Sequence, residues 1–204
     1  MPHTKDVGGE NEPATRGTLL VISGPSGVGK STIVEALKER RPFEFSVSVT
    51  TRAARQGEVD GVDYRFVDEE AFDGLVAGHE LLEWARYGGN RYGTPAAALV
   101  AHLESGRDVL LDIENWGARQ VKESYPEAVT VFIVPPTMEE LERRLKGRGD
   151  TNPTAIVQRL AAAAEQIADA SEHYDAVVVG DRVERATDEI MRILAAHEEG
   201  SNVR

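Results

Sequence analysis

The chain has 204 residues, 41% of them hydrophobic and 28% charged, which suits one α/β domain with a small insertion and is thin for two independent domains. Its net charge of −12 argues against a general nucleic-acid binder, which needs a basic face toward the phosphate backbone, but leaves small phosphates open as ligands. There is no cysteine, which removes disulfides, thiolate catalysis and cysteine zinc sites. No apolar run approaches the ~20 residues that cross a bilayer. Cytoplasmic residence, with neither membrane nor nucleic acid as partner, is therefore the expectation.

Met1 to Gly17 is polar, lacks the apolar centre of a secretion signal, and reads as a flexible tail ahead of a single domain over 18–204. Apolar, β-branched runs then recur at Leu19–Ser23, Val47–Thr50, Asp108–Ile113, Val129–Val134 and Ala176–Val179. Helical spacing fills the intervals. Ser31–Arg40 carries Ile33, Val34, Ala36 and Leu37 on one stripe and stops at Pro42. Thr94-Pro95 suits an N-cap followed by proline at the first helical position, with Gly106 as the stop. Thr137-Met138-Glu139-Glu140 fits a capping box, and Asn152-Pro153 opens the longest helix, which runs through Ala161–Ala164 toward Ala170. Strands alternating with helices predict a parallel sheet covered on both faces. The stretch from about Phe45 to Thr94 breaks the rhythm with short extended pieces, turns at Gln56-Gly57 and Asp60-Gly61, and one short helix after Asp68. It reads as an insertion against the sheet's edge.

The sharpest motif is Gly24-Pro25-Ser26-Gly27-Val28-Gly29-Lys30-Ser31, a G-x-x-x-x-G-K-[ST] phosphate loop with a strand before it and a helix after. Its glycines let successive backbone N–H groups turn toward phosphate oxygens, and the helix adds its positive end. Gly24, Ser26, Gly27, Gly29, Lys30, Ser31 and Thr32 are thus the candidate ATP-binding residues. Lys30 reaches the β- and γ-phosphates, and the Ser31 hydroxyl is placed to ligate Mg²⁺.

Beyond the loop, Phe45 to Arg52, Arg55, Gly57-Glu58, Gly61 to Tyr64, Glu83-Trp84-Ala85 and Gly89 to Thr94 resemble the guanylate kinase family, as do Leu111-Asp112-Ile113, Gly117-Ala118 and Arg143 to Gly149. The resemblance runs from about Gly17 to Ala196 in one consistent order. It implies a P-loop core (18–45, 95–136, 159–204), a small mixed α+β nucleotide-monophosphate-binding insertion (46–94) and a helical lid (137–158). It also implies roles. Ser48, Arg52, Arg55 and Tyr64 match positions that hold the acceptor phosphate. Glu83, Thr94 and Glu114 match positions that read guanine, with Tyr92 in the same wall and Asp112 beside the loop. Arg144, Arg148 and Arg159, with Lys30, match the catalytic cations around the transferring phosphoryl group. These types make physical sense: arginine forks grip phosphate in pairs, and carboxylates suit the N1–H and N2–H₂ donors of guanine, which adenine lacks.

Each assignment has a plainer counterpart. Thr94 serves equally as a helix N-cap, Glu83 and Asp112 as solvated strand-end carboxylates, and Tyr64, Tyr92 and Trp84 as packing. Arg143 and Arg144, adjacent on a helix, cannot both face the site. His79, His102 and His173 show no ligand spacing. Three positions also depart from the family pattern. In Asp112-Ile113-Glu114-Asn115-Trp116-Gly117, Glu114 and Trp116 stand where an aspartate and a glutamine are usual. Gly180 replaces an asparagine near the donor's adenine, and Asp150-Thr151-Asn152-Pro153, in the lid, lacks the acidic pair that usually starts the following helix. The implied reaction is ATP·Mg²⁺ with GMP, or dGMP, giving ADP and GDP, by a monomer or homodimer. Another phosphorylated acceptor is the main competing reading, motivated by Glu114 and Trp116. A non-catalytic binding module and a GTPase switch compete less well, the first because Lys30 and the lid arginines are kept, the second because no Asn-Lys-x-Asp motif occurs.

Overall fold

The computed structural model describes residues 16–147 and 152–201, the last by its backbone. The expected tail and Arg148, in the expected lid, lie wholly or largely outside them. The chain runs β1 (Leu19–Ser23), α1 (Lys30–Arg40), β2 (Glu44–Phe45), β3 (Val49–Thr50), β4 (Arg65–Phe66), α2 (Glu69–Ala77), β5 (Leu81–Tyr87), β6 (Asn90–Pro95), α3 (Ala96–Glu104) and β7 (Val109–Asp112). It continues through α4 (Asn115–Ser124), β8 (Val129–Val134), α5 (Met138–Gly147), α6 (Pro153–His173), β9 (Ala176–Val179) and α7 (Val183–Ser201). This is the expected α/β architecture.

Five strands form a parallel sheet in the order β2-β7-β1-β8-β9. Side chains of β1 alternate between its two faces, as a period of two requires. Leu20 and Ile22 pack with Ile33, Val34 and Leu37 of α1 and Ile190 and Leu194 of α7. Leu19 and Val21 pack on the other face with Leu99 and Leu103 of α3, Ala118 and Val121 of α4, and Tyr174. Both faces are therefore covered, and a strand buried on both sides reads as a continuous apolar run. A third cluster, Leu141, Leu145, Ile156 and Ala163, joins α5 to α6.

The second sheet has the order β4-β3-β6-β5 and is mixed: β3 pairs in parallel with β4 and antiparallel with β6, and β5 pairs antiparallel with β6. The β5–β6 hairpin turns at Gly88 and Gly89, with φ of 58° and 84°. Two successive positive φ values match the twist of a two-residue hairpin turn, and glycine takes them without steric cost. The extended run expected at Val47–Thr50 shortens to Val49–Thr50 and belongs to this second sheet.

Two capping expectations change. The α3 helix starts at Ala96 with Pro95 as its N-cap; Thr94 instead stays in β6, and its hydroxyl is used across the hairpin. Thr137 Oγ1 accepts from the Glu140 N–H at 3.1 Å, but the Glu140 carboxylate is taken by Arg143 and Arg144, so half of the capping box forms. Asn152 caps α6 as expected, its side chain accepting from Ala155 N–H at 2.8 Å. Asp68 caps α2 the same way.

Candidate active site

The loop from Gly24 to Gly29 connects β1 to α1. Gly24 has φ of 146°, and a Cβ there would collide with the Ile133 carbonyl oxygen of β8. Only glycine allows that backbone approach. Gly29 caps α1 in the left-handed region, at φ 102°, and no side chain caps the helix. The first-turn N–H groups of α1 are thereby left for an anion. Lys30 Nζ donates to Gly24 O at 2.7 Å and lies 4.0 Å from Asp112 Oδ1 at the end of β7.

A cleft of about 640 Å³ opens between this loop and the second sheet. Ser26, Gly27, Gly29, Lys30, Ser31 and Thr32 line one end; Ser48, Arg52, Arg55, Tyr64, Glu83 and Tyr92 line the other; Asp112, Glu114 and Arg159 lie between. Fifteen of the residues expected at the site thus share one cavity. Glu58, Ala85, Tyr87 and Gln166 also line it; the sequence offered Glu58 only as part of a Gly-Glu motif. The oxygen donors of Ser31 and Asp112 in the same cavity have the hardness that Mg²⁺ prefers.

The end of the cleft at the second sheet is built from side chains. Arg52, after β3, lies over the rings of Tyr64 and Phe66 at 5.3 and 5.7 Å, and Tyr64 meets Tyr92 edge-on at 6.0 Å between centroids. Glu83 and Thr94 stand opposite each other in the hairpin register, so both point to one face. Thr94 Oγ1 donates to Glu83 Oε1 at 2.6 Å. Thr94 is fully buried and stands behind Glu83 rather than lining the cavity. Burial pushes the Glu83 carboxyl up to about 7, against the opposing pull of its hydrogen bonds from Thr94. Gly117 of α4 presses on the same carboxylate: a Cβ there would overlap Glu83 Oε2. Asp112 is also raised, first by desolvation, with Lys30 opposing and Glu114 reinforcing the shift.

The arginines of the expected lid divide. Arg143 is exposed, with 74% of its side chain accessible, and pairs with Glu140. Arg144 turns inward, donating to the carbonyls of Val28 at 2.7 Å and Gly180 at 3.0 Å. It braces the phosphate loop from behind and does not line the cleft in this conformation. Both guanidinium groups hold the Glu140 carboxyl down at about 2. Gly180 has a steric reason to be glycine, since a Cβ would sit 2.9 Å from Ile133 Cγ2 and 3.2 Å from Val28 O. Trp116 is 66% exposed and lines a separate surface hollow with Arg119 and His173. The residue that motivated a different acceptor is therefore outside the cleft, and Glu114 alone of the pair faces it.

The sequence model of the family described as guanylate kinase matches residues 16–197. The chain belongs to the guanylate kinase family. It is 51% identical over 179 residues to a guanylate kinase of Thermobifida fusca (strain YX), covering 87% of this chain and 91% of that one. It is 49% identical over 183 residues to a guanylate kinase of Synechococcus sp. (strain JA-3-3Ab), covering 89% and 84%. Among solved structures, the guanylate kinase from Anaplasma phagocytophilum superposes with a TM-score of 0.71 at 39% identity, over 90% of this chain and 87% of that chain. A gluconokinase from Sinorhizobium meliloti 1021, at 18% identity and TM-score 0.52, shares the fold. Among the described residues no helix is long and apolar enough to cross a membrane.

Proposed function

We propose that this protein transfers the γ-phosphate of ATP to GMP, giving ADP and GDP. One observation carries the reading: a single cleft joins an intact phosphate loop to an arginine pair and a buried carboxylate. The loop's N–H groups and Lys30 hold the donor triphosphate, Lys30 leaving the Gly24 carbonyl for phosphate oxygens. Arg52 and Arg55, with Ser48 and Tyr64, hold the acceptor phosphate. Glu83 accepts from the guanine edge, and Glu114, with one methylene more than the usual aspartate, faces the same pocket. Family membership at about 50% identity to guanylate kinases supports the same assignment.

Little covalent work falls to the protein in such a transfer. An oxygen of the GMP phosphate attacks the γ-phosphorus, the bond from γ-phosphorus to the β,γ-bridging oxygen breaks, and ADP leaves with that electron pair. The nucleophile is already an anion, so no general base is needed. Catalysis then rests on alignment and charge neutralisation, supplied by Lys30, Arg159 on α6 and, in the lid, Arg148; Arg144 contributes through the loop it braces. Mg²⁺, when bound, neutralises charge on the donor phosphates; Ser31 and Asp112 are the residues that would hold it. The insertion and α5–α6 close the cleft against water.

The test is product analysis. Purified protein with ATP, Mg²⁺ and GMP should form ADP and GDP in equal amounts by anion-exchange chromatography. ADP without GDP would make it a hydrolase, and ATP binding with no product from GMP would send the acceptor assignment elsewhere.

A further inference from the structure

We infer that Glu58 is a positioning residue for the acceptor phosphate, fixing both phosphate arginines at once. The inference rests on the reading that Arg52 and Arg55 hold that phosphate. Arg52 Nη1 and Nη2 donate to the two carboxylate oxygens of Glu58, each at 2.9 Å, a parallel fork that sets the plane of the guanidinium as well as its position. The Glu58 Oε2 atom also accepts from the Arg55 backbone N–H at 2.7 Å. Glu58 N–H in turn donates to Arg55 O at 3.1 Å, closing a turn that passes through Gly57 at φ 92°. Arg52 Nη1 makes a further bond to Ala53 O at 2.7 Å. One carboxylate therefore holds one arginine by its side chain and the other by its main chain.

The surroundings make this more than a surface ion pair. The Arg52 and Glu58 side chains are 12% and 19% accessible, and both line the cleft. The Arg52 guanidinium lies over the neighbouring rings of Tyr64 and Phe66. The Arg52 hydrogen bonds hold the Glu58 carboxyl below its ordinary range, as expected of a carboxylate paired with a guanidinium. From Ala53 to Gly57 the loop buries no side chain, since Ala53, Ala54, Arg55, Gln56 and Gly57 are all exposed; beyond Glu58 it is tied separately, Val59 N–H donating to Asp63 and Phe66 N–H to Asp60. A loop without apolar anchors keeps its shape through such polar ties. With Glu58 holding the terminal fork, the acceptor meets Arg52 already oriented. Without it, ordering the Arg52 side chain and the main chain that carries Arg55 counts against binding.

Glu58→Gln keeps the shape but removes the charge and the second acceptor. Its KM for GMP should rise roughly 10-fold or more, short of the ~10²-fold that misplacing a reacting group by an ångström costs. KM for ATP and the thermal midpoint should stay near the parent values. Inhibition by guanosine, which has no phosphate, should be unchanged while GMP weakens. Glu58→Asp, which keeps the charge, should recover part of the loss. Arg52→Ala is run alongside to separate the two claims. If Arg52→Ala raises KM for GMP and Glu58→Gln leaves it unchanged, the positioning role is overturned alone. A lower KM for GMP in Glu58→Gln overturns it also, making Glu58 a competitor for Arg52. If Arg52→Ala leaves KM for GMP unchanged, the reading of the phosphate site itself has failed. Equal losses in ATP, GMP and guanosine binding would reduce Glu58 to a structural residue.

Discussion

The two ends of the cleft are made by different physics. The donor end is mostly backbone: glycines, helix N–H groups and one lysine, seated against buried Val28, Ile33, Val34 and Leu37. The acceptor end is mostly side chains on a small sheet, where Val49 and Phe72 are the buried apolar residues of the stretch from β3 to β6. Its order comes from polar ties instead. Arg52 is forked onto Glu58. Arg91 is tied to Asp73 at 2.6 Å and to Glu69 O at 2.8 Å, over the Phe72 ring. Thr94 is bonded to Glu83. Apolar packing against a large core is stiff, whereas a small sheet with two buried apolar side chains opens locally at lower cost. A phosphate common to every donor suits the stiff end; the base that must be chosen suits the end made of specific donors and acceptors.

That division can be broken first at the donor end. Lys30→Ala should lower kcat by roughly 10²–10³-fold, the cost of deleting one preorganised charge donor, while GMP binding measured by calorimetry stays intact. A parallel loss of GMP affinity would mean that the two ends are not separable. Next comes the seam between them. Gly117→Ala puts a methyl against Glu83 Oε2, an overpacking worth about 1–3 kcal/mol. It should raise KM for GMP about 10-fold with KM for ATP unchanged, and an unchanged KM for GMP would remove Gly117 from the guanine pocket.

A further effect is in the pH profile. Burial raises Glu83 to about 7, so the free enzyme holds a neutral carboxyl below that value and a carboxylate above it. For the fold, this group's contribution is fully present at pH below its ordinary value and is lost as pH rises through about 7. For the acceptor the sign reverses, because guanine donors need the carboxylate. GMP affinity should therefore fall by up to about 10-fold per pH unit below 7. The same series with Glu83→Gln cancels the titration of the GMP phosphate itself, and a slope that persists unchanged in the variant would assign the effect elsewhere.

Much of this was legible from residue order. The phosphate loop, its flanking strand and helix, and the Asn152-Pro153 start of α6 are local signals, and each was found. Thr94-Pro95 looked like a cap because local chemistry allows it, but hairpin register placed Thr94 opposite Glu83, and a buried carboxylate is a stronger claimant for a hydroxyl than a helix end. Arg143 and Arg144 separate only when the packing of α5 on the phosphate loop is known, since helix periodicity alone does not say which faces inward. Trp116 looked like a change in the pocket because of its place in the motif; the turn of α4 sends the indole to the surface. The role of Glu58 was hidden for a similar reason: its partners are six and three residues away along a loop with no periodicity to read.

The most direct test of the central claim is the ratio of kcat/KM for GMP to that for AMP, in the parent protein and in Glu83→Gln. A site built on acceptors for the guanine edge should prefer GMP by roughly 10⁴-fold, and Glu83→Gln should lose at least ~10-fold of that preference with the ATP parameters unmoved. Comparable turnover of GMP and AMP by the parent protein, or a ratio that Glu83→Gln does not change, would contradict a guanine-reading pocket at the second sheet.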